Sequence, residues 1–170
     1  SDYVIASNYH NIAYQAIISK DFEWAENFLN EYKEKIEPGN RENMYCVLMA
    51  ACLFGKGEFE KCINFLSKVK VDNVMTKLII RTNYIKCYYE LGYFDEAESA
   101  IDAMRMFMYQ NKELTPQVKR SIPDFIKYSR LLVKAKAGDL KIPEAVYLKA
   151  QKTPGFNSRS WVLDKMNEMK

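Results

Sequence analysis

Between residues 83 and 108 the apolar positions keep a helical rhythm, break, and resume. Tyr84, Tyr88 and Leu91 stand at i, i+4 and i+7, one stripe of an α-helix. Gly92 then interrupts the run as a helix C-cap residue does. Asp95 and Glu96 put negative charge in the first turn of a second helix, where its dipole favours them. That helix carries Phe94, Ala97, Ile101, Met104 and Met108 along one side. The pattern predicts two helices joined by a very tight turn. Ala97 is small enough to let them approach closely. A hairpin of this kind cannot bury both faces alone, so it needs neighbours.

The pattern occurs twice upstream. Phe22, Ala25, Leu29, Tyr32 and Ile36 repeat it after Lys20-Asp21, and Phe59, Cys62, Leu66 and Val69 repeat it after Gly57-Glu58. The small residue recurs at 25, 62 and 97, spacings of 37 and 35 residues. Helix–turn–helix units with a period near 34 residues are the mark of tetratricopeptide repeats. The stretch 91–97, Leu-Gly-Tyr-Phe-Asp-Glu-Ala, resembles that family's turn motif. The stretches 56–62 and 20–25 are looser copies, and Pro38 sits where the family often has proline. The resemblance covers roughly the first two thirds of the chain. It implies an all-α, right-handed superhelix of helical hairpins whose first helices line a concave face that binds a protein or peptide.

In chain order, unit one spans 1–38, with helices expected over 2–20 and 22–36. The cluster Glu37-Pro38-Gly39-Asn40 reads as a loop by composition. Unit two spans 39–71, with helices over 41–54 and 58–68. Unit three spans 72–110, its first helix capped by Asp72 or Asn73. The period is then lost. Thr115-Pro116 reads as an N-cap and first helical residue, and the helix that follows should kink or split at Pro123. A diverged fourth hairpin, 111–153, restarts at Pro143 with Ala145 in the small-residue place. Asn157 or Ser158 can cap a final helix over 159–169. Trp161, Val162, Met166 and Met169 share one side of it, which suits it to cover the last exposed face of the array.

With 170 residues, of which 48% are hydrophobic, the chain can build a real core. Its 25 basic and 22 acidic residues leave a net charge of +3, too balanced to point to nucleic acid. No stretch approaches the apolar length of a membrane span. Cys46, Cys52, Cys62 and Cys87 all lie in helical apolar patterns and read as small buried hydrophobes in a reduced, cytoplasmic setting. The sequence opens on Ser1 rather than Met and reads as an excised piece of a longer polypeptide.

Candidate chemistry is sparse. His10 is the single histidine and has no acidic or cysteine partner at i+3 or i+4. No nucleophile motif, phosphate loop, dinucleotide fingerprint or metal-ligand spacing appears. We therefore expect no enzyme, no cofactor and no metal. The aromatic content, with 12 Tyr, 9 Phe and 2 Trp, matters more. Most of these must be core, but some lie off the packing stripe of a first helix. The candidate concave binding face is His10, Tyr14, Val47, Ala51, Thr82, Lys86 and Tyr89. Met106, Phe107 and Tyr109 also fall off their helix's stripe, and packing beneath the 111–123 insertion is the favoured role for them. The alternatives to a protein-binding scaffold are a nucleic-acid-binding helical array and an accessory domain of a regulator or enzyme whose active part lies elsewhere.

Overall fold

The computed structural model describes residues 3–170, and Asp2, expected at the head of the first helix, lies outside them. The described residues are all-α apart from one isolated parallel bridge, Val4 to Ile36. The chain divides into two compact units, one ending at Val71 and the other running from Asp72 to Lys170. Each has its own core.

The first unit holds α1 (Ala6–Ile18), α2 (Phe22–Tyr32), a 3-10 turn (Lys33–Lys35), α3 (Pro38–Gly55) and α4 (Phe59–Ser67). α1 and α2 form a hairpin that packs on α3, and α3 pairs with α4. Tyr9, Ala13, Ala25, Leu29, Cys52, Cys62 and Leu66 form the dry centre. The Tyr9 hydroxyl donates to the Leu29 carbonyl at 2.8 Å, which satisfies the one polar atom that its burial would otherwise strand. The 37–40 segment is not a loop. Glu37 is the N-cap and Pro38 opens α3, a position where the missing proline N–H costs nothing. Arg41 secures the junction by donating to the carbonyls of Ile36 and Glu34 and pairing with the Glu34 carboxylate.

The second unit holds α5 (Val74–Leu91), α6 (Phe94–Gln110), α7 (Pro116–Lys136), α8 (Glu144–Lys152) and α9 (Arg159–Glu168). α5 and α6 form the expected hairpin, with Ala97 fully buried in it, and α6 packs on α7. Asn73 caps α5 by accepting from the Thr76 N–H at 2.8 Å, a contact worth about 1 kcal/mol. Thr115 caps α7 in the same way. Pro123 lies inside α7 on its exposed side, and the helix continues through it as one element.

One turn geometry recurs four times. Lys20, Gly57, Gly92 and Gly138 each take positive φ, and the next residue's N–H reaches back five residues. Asp21 bonds to Ala16, Glu58 to Leu53, Tyr93 to Tyr88 and Asp139 to Lys134, all at 2.9 Å. This is a Schellman ending, which fixes the direction in which the chain leaves each first helix. After the first three, a helix starts at once and its small residue (Ala25, Cys62 or Ala97) is buried four positions on. After the fourth it does not. Pro143 lacks an N–H and disfavours helix at the residue before it, so it serves as N-cap and α8 begins at Glu144. Ala145 is exposed rather than packed in a hairpin, and α8 packs on α9.

Candidate functional site

In the first unit the structure places His10 and Tyr14 on the open side of α1. Their rings stack at 5.6 Å, and the stripe continues one turn on to Ile18. Tyr14 is 46% exposed and Ile18 56%. Val47 and Ala51 lie one turn apart on α3, both half-buried.

In the second unit Thr82, Lys86 and Tyr89 lie on one side of α5, but that side is covered. Thr82 is 6% exposed and Tyr89 only 3%, so neither is a surface residue of a groove. The covering element is the C-terminal segment. The Asn157 side chain donates to the Thr82 hydroxyl at 2.9 Å. Trp161 meets Tyr89 edge-on, with centroids 5.3 Å apart and planes at 84°, and a second ring beside it is Phe125 of α7. The Lys86 ammonium sits 5.8 Å from the Trp161 ring centre. The last helix, expected to cover the last exposed face of the array, packs on α7 and α8 and sets Trp161 against Tyr89. Neither its N-cap, Ser158, nor Asn157 makes a side-chain cap bond to α9. Its placement comes from what its side chains meet.

Glu90 is the polar centre of this contact. One oxygen of its carboxylate accepts from the Trp161 indole N–H at 3.1 Å and pairs with the Lys165 ammonium at 2.7 Å. Burial alone would lower the Lys165 pKa, but the hydrogen bonds to Glu90 and Glu168 outweigh it and the pKa is raised. Burial, with the nearby charges of Glu90 and Glu168, pushes the Tyr89 phenol up to about 12. Lys136 donates to the Tyr89 and Glu90 carbonyls at the C-terminal end of α5, where a cation suits the dipole, and lies over the Tyr89 ring.

Sequence reasoning missed Glu90, Asn157, Trp161 and Lys165 as a set. The available signal was the pair Trp161 and Lys165, one turn apart on a short helix, but their common acceptor lies 71 residues before the tryptophan. The off-stripe trio of α6 divides. Phe107 is buried beneath Lys77 and Arg81, whereas Met106 and Tyr109 are exposed. All four cysteines are buried and none is in a disulfide.

Two open cavities lie in the second unit. One of about 530 Å³ between α5 and α6 is lined by Arg81, Tyr84, Tyr88, Asp95, Glu96 and Ser99 among others. The other, of about 870 Å³, is bordered by Lys136, Ile142, Tyr147, Met166 and Met169 among others. Among the described residues no group of His, Cys, Asp and Glu could hold a metal ion, and no helix is long and apolar enough to cross a membrane. Comparison with protein-family models, curated proteins and solved structures finds no match for this chain. The helices themselves define the class, an all-α protein of helical hairpins.

Proposed function

We propose that the chain is a non-catalytic, protein- or peptide-binding scaffold built from tetratricopeptide-like hairpins. The observation that carries this reading is the stripe His10, Tyr14 and Ile18 on α1. It leaves two large apolar side chains open to solvent beside a stacked imidazole. Rigid amphipathic tyrosines are favoured contact residues, and clustered exposed apolar side chains tend to mark interaction surfaces. The test is a photo-crosslinking phenylalanine analogue in place of Tyr14, expressed in the source cells. The expected product is a discrete polypeptide adduct that disappears with Ile18→Asp. Adducts that vanish on nuclease treatment, or no adduct at all, would overturn the reading.

A further inference from the structure

We propose that the face of α5 and α7 lined by Thr82, Tyr89, Glu90 and Phe125 is a helix-receiving site, and that α9 is its exchangeable occupant in cis. The competing ligand is a partner helix carrying an aromatic N–H or O–H donor with an apolar residue next to it, and a lysine or arginine one turn later followed by a second apolar residue. This inference deepens the peptide-binding reading and rests on it.

The template is α9 itself. Trp161 and Lys165 converge on the same Glu90 oxygen, while Val162 and Met166, each one residue further on, are buried. Glu90 and Lys165 keep only 12% and 15% of their side chains exposed. A partly dehydrated carboxylate of this kind selects for a cation and a donor rather than for general greasiness. Stripped of α9, the site would present the Glu90 carboxylate together with the Tyr89 and Phe125 rings that Trp161 meets, and Thr82 as a further hydrogen-bonding group two turns before Glu90.

Several features make α9 an occupant rather than a self-standing element. It has 10 residues, too few for a helix to persist in water without tertiary support. Its N-cap, Ser158, has φ 53° and makes no side-chain cap bond, and its first turn carries Arg159 and no acid. Each of these works against the helix. Arg159 is instead spent on α8, donating to the carbonyls of Gln151 and Thr153. Tyr147 is hydrogen-bonded to Asn167, and Gln151 donates to the Tyr147 hydroxyl at 2.9 Å. The Arg159 and Asn167 bonds tie α8 to α9, so the two can leave together as an arm once the Asn157 N–H gives up the Ser121 carbonyl and Phe156 leaves the Tyr128 ring. The polar bonds that α9 makes to the α5 face, through Trp161 and Lys165, are ones that a competing helix can remake.

The probe is a fluorescein-labelled peptide of residues 156–170, titrated into the full chain. In wild type the resident helix competes, and binding should be weak. With Trp161→Ala and Lys165→Ala together the arm is loosened, and affinity should rise about tenfold or more, as a larger fraction of molecules becomes competent to bind. Adding Glu90→Gln to the loosened chain should remove that gain. Hydrogen exchange on wild type supplies a second readout: amides of Trp161–Glu168 should exchange faster than those around Ile85 and Leu132. Exchange of α9 only at the rate of the Ile85 amides would overturn the proposal, whether or not the loosened variant folds. So would a folded, loosened chain that ignores the peptide. Crosslinks from Tyr14 report on α1 alone, so their persistence in either case leaves the scaffold reading standing and confines the failure to α9.

Discussion

Tyr14 and Tyr89 are both expected on the concave face, but the structure gives them opposite fates, one half-exposed and the other buried, and alanine substitution separates them. The Tyr89 ring is almost wholly enclosed and meets Trp161 edge-on. A tyrosine buries roughly 150–250 Å². At about 25 cal/mol per Å², loss of the ring beyond Cβ removes on the order of 3–5 kcal/mol. Large-to-small core substitutions of aromatic residues cost about the same, since the cavity collapses only in part. We expect Tyr89→Ala to destabilise the second unit by about 3–4 kcal/mol. Tyr14→Ala, at a half-exposed site, should stay within about ±0.5 kcal/mol. The chain has two tryptophans, Trp24 in the first unit and Trp161 in the second. A Trp24→Phe background therefore makes urea unfolding of the second unit readable from Trp161 emission alone. Tyr89→Ala should also shift the native Trp161 emission to the red, because the ring that shields the indole is gone. A midpoint change worth less than about 1 kcal/mol with unchanged native emission would refute the reasoning.

Two further outcomes follow from close contacts and burial. Gly55→Ala should destabilise the first unit by about 1–3 kcal/mol, although alanine is the better helix former. A Cβ there would stand 2.2 Å from the Phe22 ring; Phe22→Leu in the same chain should relieve most of the loss, and a melting temperature raised by Gly55→Ala would refute the contact. Because burial raises the folded-state pKa of Tyr89 from 10.0 to about 12, the protonated phenol favours folding. That stabilisation is complete below pH 10 and is lost as pH rises towards 12. Alkaline titration followed at the tyrosinate absorbance should show one group ionising with unfolding of the second unit, and Tyr89→Phe should abolish that step.

Much of the local structure was legible because it depends on neighbours in sequence. Gly57 and Gly92 mark turns because only a residue at ease with positive φ ends a helix in that way. Ala25, Cys62 and Ala97 mark the close approach within each hairpin, and all three are buried where the spacing put them. Asn73 and Thr115 announce their helices through side chains that reach only three residues. Lys20 shows the limit of this kind of reading. It takes the same positive φ as the glycines without any compositional sign of doing so.

Features set by residues far apart were not legible. The exposure of Thr82, Lys86 and Tyr89 depended on whether something lay across α5, and spacing along α5 says nothing about that. The answer came from Asn157, Trp161 and Lys165, whose partners Thr82 and Glu90 stand 71 to 75 residues earlier. Ala145 looked like a hairpin residue, but Pro143 had already removed the backbone geometry that the repeat requires. Most helices, the glycine turns and the small residues of the first three hairpins could be read from the chain alone, because each is fixed within a few peptide bonds. Which face of a helix is surface and which is core is settled by packing. That depends on which distant segment gains most by covering the face, and here α9 gains it through an indole and an ammonium that share one carboxylate oxygen.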